Sequence, residues 1–401
     1  MDHKKSAGRR INPDQRGSLS LPTEWVLDIR LSAQPPISQI RWRIFASLPG
    51  RRRAWQTPAA NRVKQTQWSI QHHRAIISIK LLAAWSCMRV YNGLADIDPP
   101  LSGATLTIGN FDGVHRGHQL ILAQACLTAS RTGGEAVAMT FDPHPLAVLN
   151  PSRAPTPLTL IDERIRLMAA CGIGCAVVMP CTKELLSLTA AKFVEQIVVP
   201  HFKPKSLVEG TSWRFGRRRS GDVETLAALG RRFGFEVTAV PSMTMEVEPG
   251  QDVLVSSSLI RDFIGQHQVE RAAACLGRPY ALVGEVVPGK RRGAQMGFPT
   301  ANLEVSGQLV PPSGVYAGQA CLSDRQQPAA ISIGRAPTFG AGELTVEAYI
   351  LDFDGELHGR PMRLEFFRWL RPQRTFDSVD GLREQIGRDV QVVRAMVQPD
   401  K

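Results

Sequence analysis

Between residues 104 and 272 short apolar runs alternate with stretches of helical period, and that alternation leaves few folds open. ATLTIGN (104–110) reads as a strand, HRGHQLILAQACLTASRTG (115–133) as a helix and EAVAMTFDP (135–143) as a strand. DERIRLMAACG, CAVVMP and TAAKFVEQIVVPHF continue the pattern as helix, strand and helix. LVEG, GDVETLAALGRRFG and FEVTAVPSM extend it as strand, helix and strand. Strands and helices in turn predict a parallel sheet with covering helices, whose ligands sit at the carboxyl ends of the strands. SSSLIRDFIGQHQVERAAACL (256–276) predicts a serine-capped helix and a second short helix that close this unit.

After GRPY (277–280) the texture changes to short β-type runs: ALVGEVV, GVYAGQACL, PAAISIG, LTVEAYILDF and PMRLEFFRWL. Glycine- or proline-bearing turns separate them, and SVDGLREQIGRDVQVVRAMV (378–397) is the one long helical stretch that follows. This predicts a small antiparallel β-barrel with a C-terminal helix behind a Rossmann-like α/β domain. The expected division is a leader at 1–87, an α/β domain at 88–276 and a barrel domain at 277–401.

The net charge of +12 suggests a nucleic-acid binder until its distribution is read. Residues 1–87 carry 15 Lys and Arg against 4 Asp and Glu, which leaves residues 88–401 nearly neutral. A nucleic-acid reading therefore fails for the two domains and survives only as a function of the basic segment. That segment also holds five of the seven Trp and no sustained period. A disordered basic tail, a targeting segment and a stretch upstream of the true start are the readings it allows; the expectation is the last, with the first domain opening at Met88. AIISIKLLAAWSCM (75–88) is too short to span a membrane and holds Lys80. Seven cysteines, odd in number and without metal-ligand spacing, point to free thiols in a reducing cytoplasm.

TLTIGNFDGVHRGHQLIL (105–122) runs from a strand into glycines and then places His115 and His118 three apart at a helix start. Free backbone N–H groups and the positive helix end make an anion site there. Two imidazoles over it can donate hydrogen bonds to phosphate oxygens as charge develops. The glycines at 109, 113 and 117 allow close backbone approach. A pair of capping histidines on an ordinary helix is the competing reading of the bare pattern. The full stretch resembles the HxGH nucleotidyltransferases, in particular the adenylyltransferase domain of bacterial bifunctional riboflavin kinase/FAD synthetases.

That resemblance continues through TFDPHP (140–145) and SSSLIR (256–261), where Ser258 stands for a usual threonine. It implies that Gly109, Asn110, Asp112, Gly113, Ser256, Ser257, Ser258 and Arg261 bind ATP or its phosphates. It departs at GTSWRFG (210–216), where Ser212 occupies the place of an Asp or Asn and Trp213 that of a Phe; Ser212 is the expected flavin contact.

GFPTANL (297–303) follows a loop bearing Gly289, Lys290 and Gly293. Thr300 and Asn302 lie two apart on one face of an extended segment, and their oxygens suit Mg²⁺ held together with nucleotide phosphates. An isolated turn and a solvated hairpin would also explain these residues. The whole 278–390 region resembles riboflavin kinase, with PPSGVYAG, SIGRAPTFG, LTVEAYILDFDGELHG and FDSVDGLREQIGRD in order. By that resemblance Thr300 and Asn302 hold Mg²⁺, Glu347 is the general base, Arg371 contacts flavin, and Gly289, Lys290 and Gly293 bind ATP phosphates. Departures include Ala294, Ser332, Tyr349, His358 and Gln373.

The expected function is therefore two ATP-dependent reactions, riboflavin to FMN and FMN to FAD, with Mg²⁺ as cofactor. The partners expected are the small molecules ATP, riboflavin and FMN, with no nucleic acid, no membrane and self-association left open. The alternatives are a riboflavin kinase whose adenylyltransferase domain is impaired at Ser212, a nucleotidyltransferase for another acceptor, and a nucleic-acid binder using residues 1–87.

Overall fold

A computed structural model describes residues 88–248, 250–289, 293, 297–323, 325–335 and 344–397. The 1–87 leader, Lys290 and Ala294 lie outside these residues.

The alternating half forms a six-stranded sheet in the order β1-β4-β3-β2-β5-β6, with every neighbouring pair parallel. The strands are β1 (Arg89–Tyr91), β2 (Thr105–Ile108), β3 (Ala136–Asp142), β4 (Cys175–Pro180), β5 (Ser206–Gly210) and β6 (Glu236–Val240). TLTI is buried at all four positions, as a central strand covered on both faces must be. Helix α1 (Arg116–Thr132) crosses from β2 to β3 and ends at Gly133, whose left-handed φ of 67° lets its N–H reach the Ala129 carbonyl. Helices α2 (Ile161–Ala170) and α3 (Val223–Phe233) follow β3 and β5. Asp222 caps α3 by accepting the Thr225 N–H at 2.9 Å.

Strand order reverses between β2 and β5, and their pairing is short, joining only Thr105 to Ser206 and Leu106 to Leu207. Where the two part, the Glu209 carboxylate accepts the Ile108 N–H at 2.6 Å. Burial pushes the Glu209 carboxyl well up, and the Ile108 N–H opposes that shift.

The edge strand β1 and the hairpin of β7 (Thr244–Glu248) and β8 (Gln251–Leu254) fall outside the alternation read from sequence. Both are short, and the hairpin strands carry no fully buried residue, so no apolar run announces them. Next come α4 (Ser257–Gly265) and α5 (Val269–Leu276), the two helices expected at 256–276. Their buried residues Ile260, Phe263, Ile264, Val269 and Leu276 do not pack into the cores of the parallel sheet. They belong to one cluster with Leu282, Ile331, Val346, Leu364 and Phe366 of the barrel.

The barrel closes in the order β10-β13-β12-β11-β14-β9, antiparallel throughout, which leaves no free edge. Its strands are β9 (Tyr280–Val287), β10 (Thr300–Glu304), β11 (Gly314–Cys321), β12 (Gln326–Arg335), β13 (Leu344–Ile350) and β14 (Pro361–Arg371). Val346, Ala348 and Ile350 of β13 fill the interior, and the alternate residues Thr345, Glu347 and Tyr349 stay half-buried on the outer face. Helix α6 (Val379–Val397) covers part of that outer face, packing Val390 and Val393 on Ala317, Ala330 and Leu351.

Candidate functional site

The first site is built at the carboxyl end of β2. Gly109 stays in the sheet through its N–H to the Met139 carbonyl (3.0 Å), and the chain then enters a tight turn. Phe111, Gly113 and Val114 all take positive φ, at 46°, 80° and 38°. For the two non-glycine residues this costs of order 1–3 kcal/mol each, which the surroundings must offset. At Gly113 the φ of 80° would strain any other side chain, and a Cβ there would also press on Leu158 Cδ1 at 2.9 Å.

His115 caps α1: its Nδ1 accepts the backbone N–H of His118 at 3.3 Å, which places the neutral ring's proton on Nε2. The two imidazoles stack, with centroids 3.6 Å apart and planes inclined by 19°. Burial, and then the Arg278 cation, lowers the His115 pKa to about 4. Burial, His115 and Arg164 push His118 well down. Both rings are therefore neutral near pH 7 and present N–H groups at a helix N-terminus, the donor type a phosphate oxygen takes.

The other expected residues gather around this turn. The Asn110 side-chain amide lies 3.0 Å from His144 Nε2, and the Asn110 backbone carbonyl accepts the Thr140 hydroxyl at 3.1 Å. Ser256 caps α4 by accepting the Leu259 N–H, Ser257 Oγ donates to the Asp112 carbonyl at 2.8 Å, and Ser258 is exposed in the first turn. Arg261 donates through Nε to the Thr156 carbonyl at 2.8 Å and pairs with Asp112.

Asp112 corrects a simple expectation. Its carboxylate is buried, accepts the N–H groups of Leu158 and Thr159 at 3.0 Å, and pairs with Arg261 and, at 3.9 Å, Arg164. An acid so placed does not ligate phosphate, which it would repel; it fixes the arginines and the 156–159 segment instead. Ser212 lies exposed in the turn after β5, beside Trp213, which stacks on Phe215 at 4.5 Å.

The second site lies on the outer face of the barrel. Register sets Asn302 of β10 and Ser332 of β12 directly across from Glu347 of β13. Thr300 Oγ1 donates to Glu347 Oε2 at 3.4 Å. A hydroxyl, an amide and a carboxylate thus converge on one patch, an all-oxygen set of the kind a hard divalent cation takes. Gly289 is pressed against this patch, where an added Cβ would collide with the Asn302 side chain, and Gly293 against the Phe298 carbonyl. Gly289→Ala displaces Asn302 and lowers the rate of FMN formation about tenfold to a hundredfold; a steady-state kinase assay checks this, with FAD formation from supplied FMN as the unaffected control.

Arg371, expected at flavin, is engaged elsewhere. Its Nε donates to both oxygens of Asp389 at 3.1 Å and a terminal nitrogen to one at 2.6 Å, pinning α6 to β14. Gln373 Nε2 donates to Ser332 Oγ at 2.8 Å, next to the Glu347 patch. Asp389, Arg164 and Arg278 are the residues of both surroundings that sequence reading missed. GRPY and the terminal helix carried no signal for the last and first, since only the tertiary fold supplies their partners. Among the described residues no cluster of three His, Cys, Asp or Glu side chains is placed to hold a metal, and the cysteines are free.

Comparison with known proteins follows the same division. The FAD synthetase family matches residues 98–257 and the riboflavin kinase family residues 276–397. A bifunctional riboflavin kinase/FMN adenylyltransferase of Escherichia coli (strain K12) is 33% identical over 304 residues, covering 75% of this chain and 96% of that protein. This chain belongs to the bifunctional riboflavin kinase/FMN adenylyltransferase family. A member from Pseudomonas fluorescens is 34% identical over 313 residues, covering 78% of this chain and 99% of its own. The bifunctional enzyme of Listeria monocytogenes is 35% identical and covers 72% and 91%.

A solved structure described as a macrolide-efflux protein from Streptococcus pneumoniae is 29% identical, covers 77% of this chain and 99% of that one, and superposes with a TM-score of 0.69. That likeness spans both halves of the riboflavin kinase/FMN adenylyltransferase architecture. Among the described residues no helix is long and apolar enough to cross a membrane. Both halves of the family are matched, and the reading of a kinase alone finds no support.

Proposed function

We propose that the chain makes FMN and FAD by two consecutive ATP-dependent transfers, each at the site described for it. The observation that supports this reading is the presence in one chain of two separate polar clusters of the donor and acceptor types that phosphate transfer uses. One is the stacked imidazole pair at the head of α1, and the other is the Thr300–Asn302–Glu347 cluster on the barrel.

At the barrel, Glu347 accepts the proton of the ribityl 5′-hydroxyl as its oxygen attacks the γ-phosphorus of ATP, with ADP leaving. Thr300 and Asn302 are the residues that would hold Mg²⁺ together with the nucleotide phosphates; when bound, the ion neutralises phosphate charge there. Gly289, Lys290 and Gly293 are the residues proposed to bind those phosphates.

At the parallel sheet, a phosphate oxygen of FMN attacks the α-phosphorus of a second ATP, and pyrophosphate leaves. His115 and His118 donate N–H groups to the oxygens on which charge accumulates. The α4 serines and Arg261 extend that donor set, and Ser212 is the proposed flavin-side contact. No covalent intermediate on the protein is required.

The described cysteines are all free, which supports a reducing, cytoplasmic setting. The near-neutral charge of residues 88–401 supports small molecules rather than nucleic acid as partners. The test is to incubate the chain with riboflavin, ATP and Mg²⁺ and separate the flavins by chromatography over time. FMN followed by FAD is the expected result, and FMN without FAD overturns the adenylyl-transfer half.

A further inference from the structure

The turn between β2 and α1 is held in a conformation that its residues do not choose. A β-branched residue with φ of 38°, as at Val114, is an outlier that neighbours must enforce. Three side chains do so. Thr159 Oγ1 accepts the Gly113 N–H at 3.0 Å, and Gln119 Nε2 donates to the Val114 carbonyl at 2.9 Å. The third is Arg278, whose terminal nitrogens donate to the Gly113 carbonyl at 2.7 Å and to the Val114 carbonyl at 3.3 Å. The residue after Val114 is His115, so the conformation of the turn sets where that imidazole points.

Arg278 does not come from the FAD synthetase region. It lies just past α5, inside the stretch that matches riboflavin kinase. We propose that Arg278 is a positioning residue for adenylyl transfer, supplied by the segment that opens the kinase half and acting through the strained turn that carries His115. The proposal rests on the reading of His115 and His118 as phosphate donors.

Two consequences of the placement can be separated. The first is geometric: without the guanidinium the carbonyls of Gly113 and Val114 lose donors, the turn relaxes and the imidazole pair shifts. The second is electrostatic. His115 is faced by His118 from its own helix, Asp112 from the turn and Arg278 from the junction. Arg278 in turn lies among Glu163, Arg166 and Arg363. The Arg278 cation contributes, after burial, to holding the His115 pKa at about 4, and Asp112 opposes it. Removing the cation therefore raises the His115 pKa. A protonated ring cannot accept the His118 N–H at Nδ1, so the cap and the donor geometry fail together on acidification.

The experiment uses the full chain with Arg278→Met, Arg278→Lys and His115→Asn, each assayed for FMN from riboflavin and for FAD from supplied FMN across pH. In Arg278→Met, FMN formation stays within about twofold while kcat for FAD formation falls about tenfold to a hundredfold, the scale of an ångström-level misplacement. Its acid limb also moves to higher pH. Arg278→Lys keeps the charge, so its limb stays in place while its rate recovers only in part. Unchanged FAD formation with an unmoved acid limb in Arg278→Met overturns the proposal, as does an equal loss of both activities. Should His115→Asn make FAD at the unsubstituted rate, the donor reading itself is what fails. If Arg278→Met does not fold, Gln119→Leu carries the test: it removes the other donor to Val114 and keeps the charge. A lower FAD rate with FMN formation retained and the limb unmoved supports the proposal, and an unchanged FAD rate overturns it.

Discussion

Glu347→Gln lowers FMN formation by about two to four orders of magnitude, the range spanned by loss of a positioned general base, while FAD formation from supplied FMN is unchanged. The substitution is nearly isosteric, so the barrel should tolerate it. Glu347 sits on the half-buried outer face of β13, and its neighbours Val346 and Ala348 carry the core packing. Thr300 Oγ1 can still donate to the amide oxygen of a glutamine, so the convergence of Thr300, Asn302 and residue 347 persists. What disappears is the ability to take a proton. The measurement is single-turnover phosphorylation of riboflavin, which isolates the chemical step from product release. A loss confined to KM would assign Glu347 to binding and remove it from the chemistry.

The second large effect is the mirror of the first. His115→Asn and His118→Ala each lower FAD formation about a hundredfold to a thousandfold, as removal of one preorganised donor does, with FMN formation retained. Asn at 115 is chosen because it is itself a strong N-cap, so α1 keeps its start while the imidazole is lost. The two rings stack at 3.6 Å, and His115 Nδ1 accepts the backbone N–H of residue 118, so the first ring is held against the turn that carries the second. Their effects are expected to be non-additive, with the double variant little worse than the poorer single one. Rates for both activities on the same preparations check this. Strict additivity would mean that the imidazoles act independently.

Fold class was legible because each half repeats a simple period. The runs TLTI, AVAMTFD and CAVVMP are apolar enough to demand burial on both faces, and glycines or helical stretches separate them, so a parallel sheet was the economical reading. In LTVEAYI the alternation marks Val346, Ala348 and Ile350 as interior, and the barrel follows. The three-residue β1 and the β7–β8 hairpin were not legible, since neither commits a continuous apolar surface to the core.

Candidate residues were legible where one stretch carries the whole arrangement, as with His115 and His118 on a single helical turn, or Thr300 and Asn302 on a single strand. Partnerships across distant stretches were not. Nothing in the local sequence joins Asp112 to Leu158, Thr159 and Arg261, Arg371 to Asp389, or Arg278 to Gly113. Hydrophobic period reports that a face is covered, without saying by what.

The cluster that joins Ile260, Phe263 and Leu276 to barrel strands has a consequence for how the chain is divided. The two family matches give way to one another between residues 257 and 276, and this apolar cluster runs across that point. Helix α4 contacts the first half through Ser257 and Arg261, and α5 through the Ala274 and Leu276 carbonyls, which accept from Arg116 and Gln119; the apolar faces of both join a cluster that runs into the barrel. A loosening of the barrel therefore reaches the adenylyl-transfer turn as a loss of support beneath the serines and arginine that surround it. The two activities are separate in their reactants and joined in their folding unit.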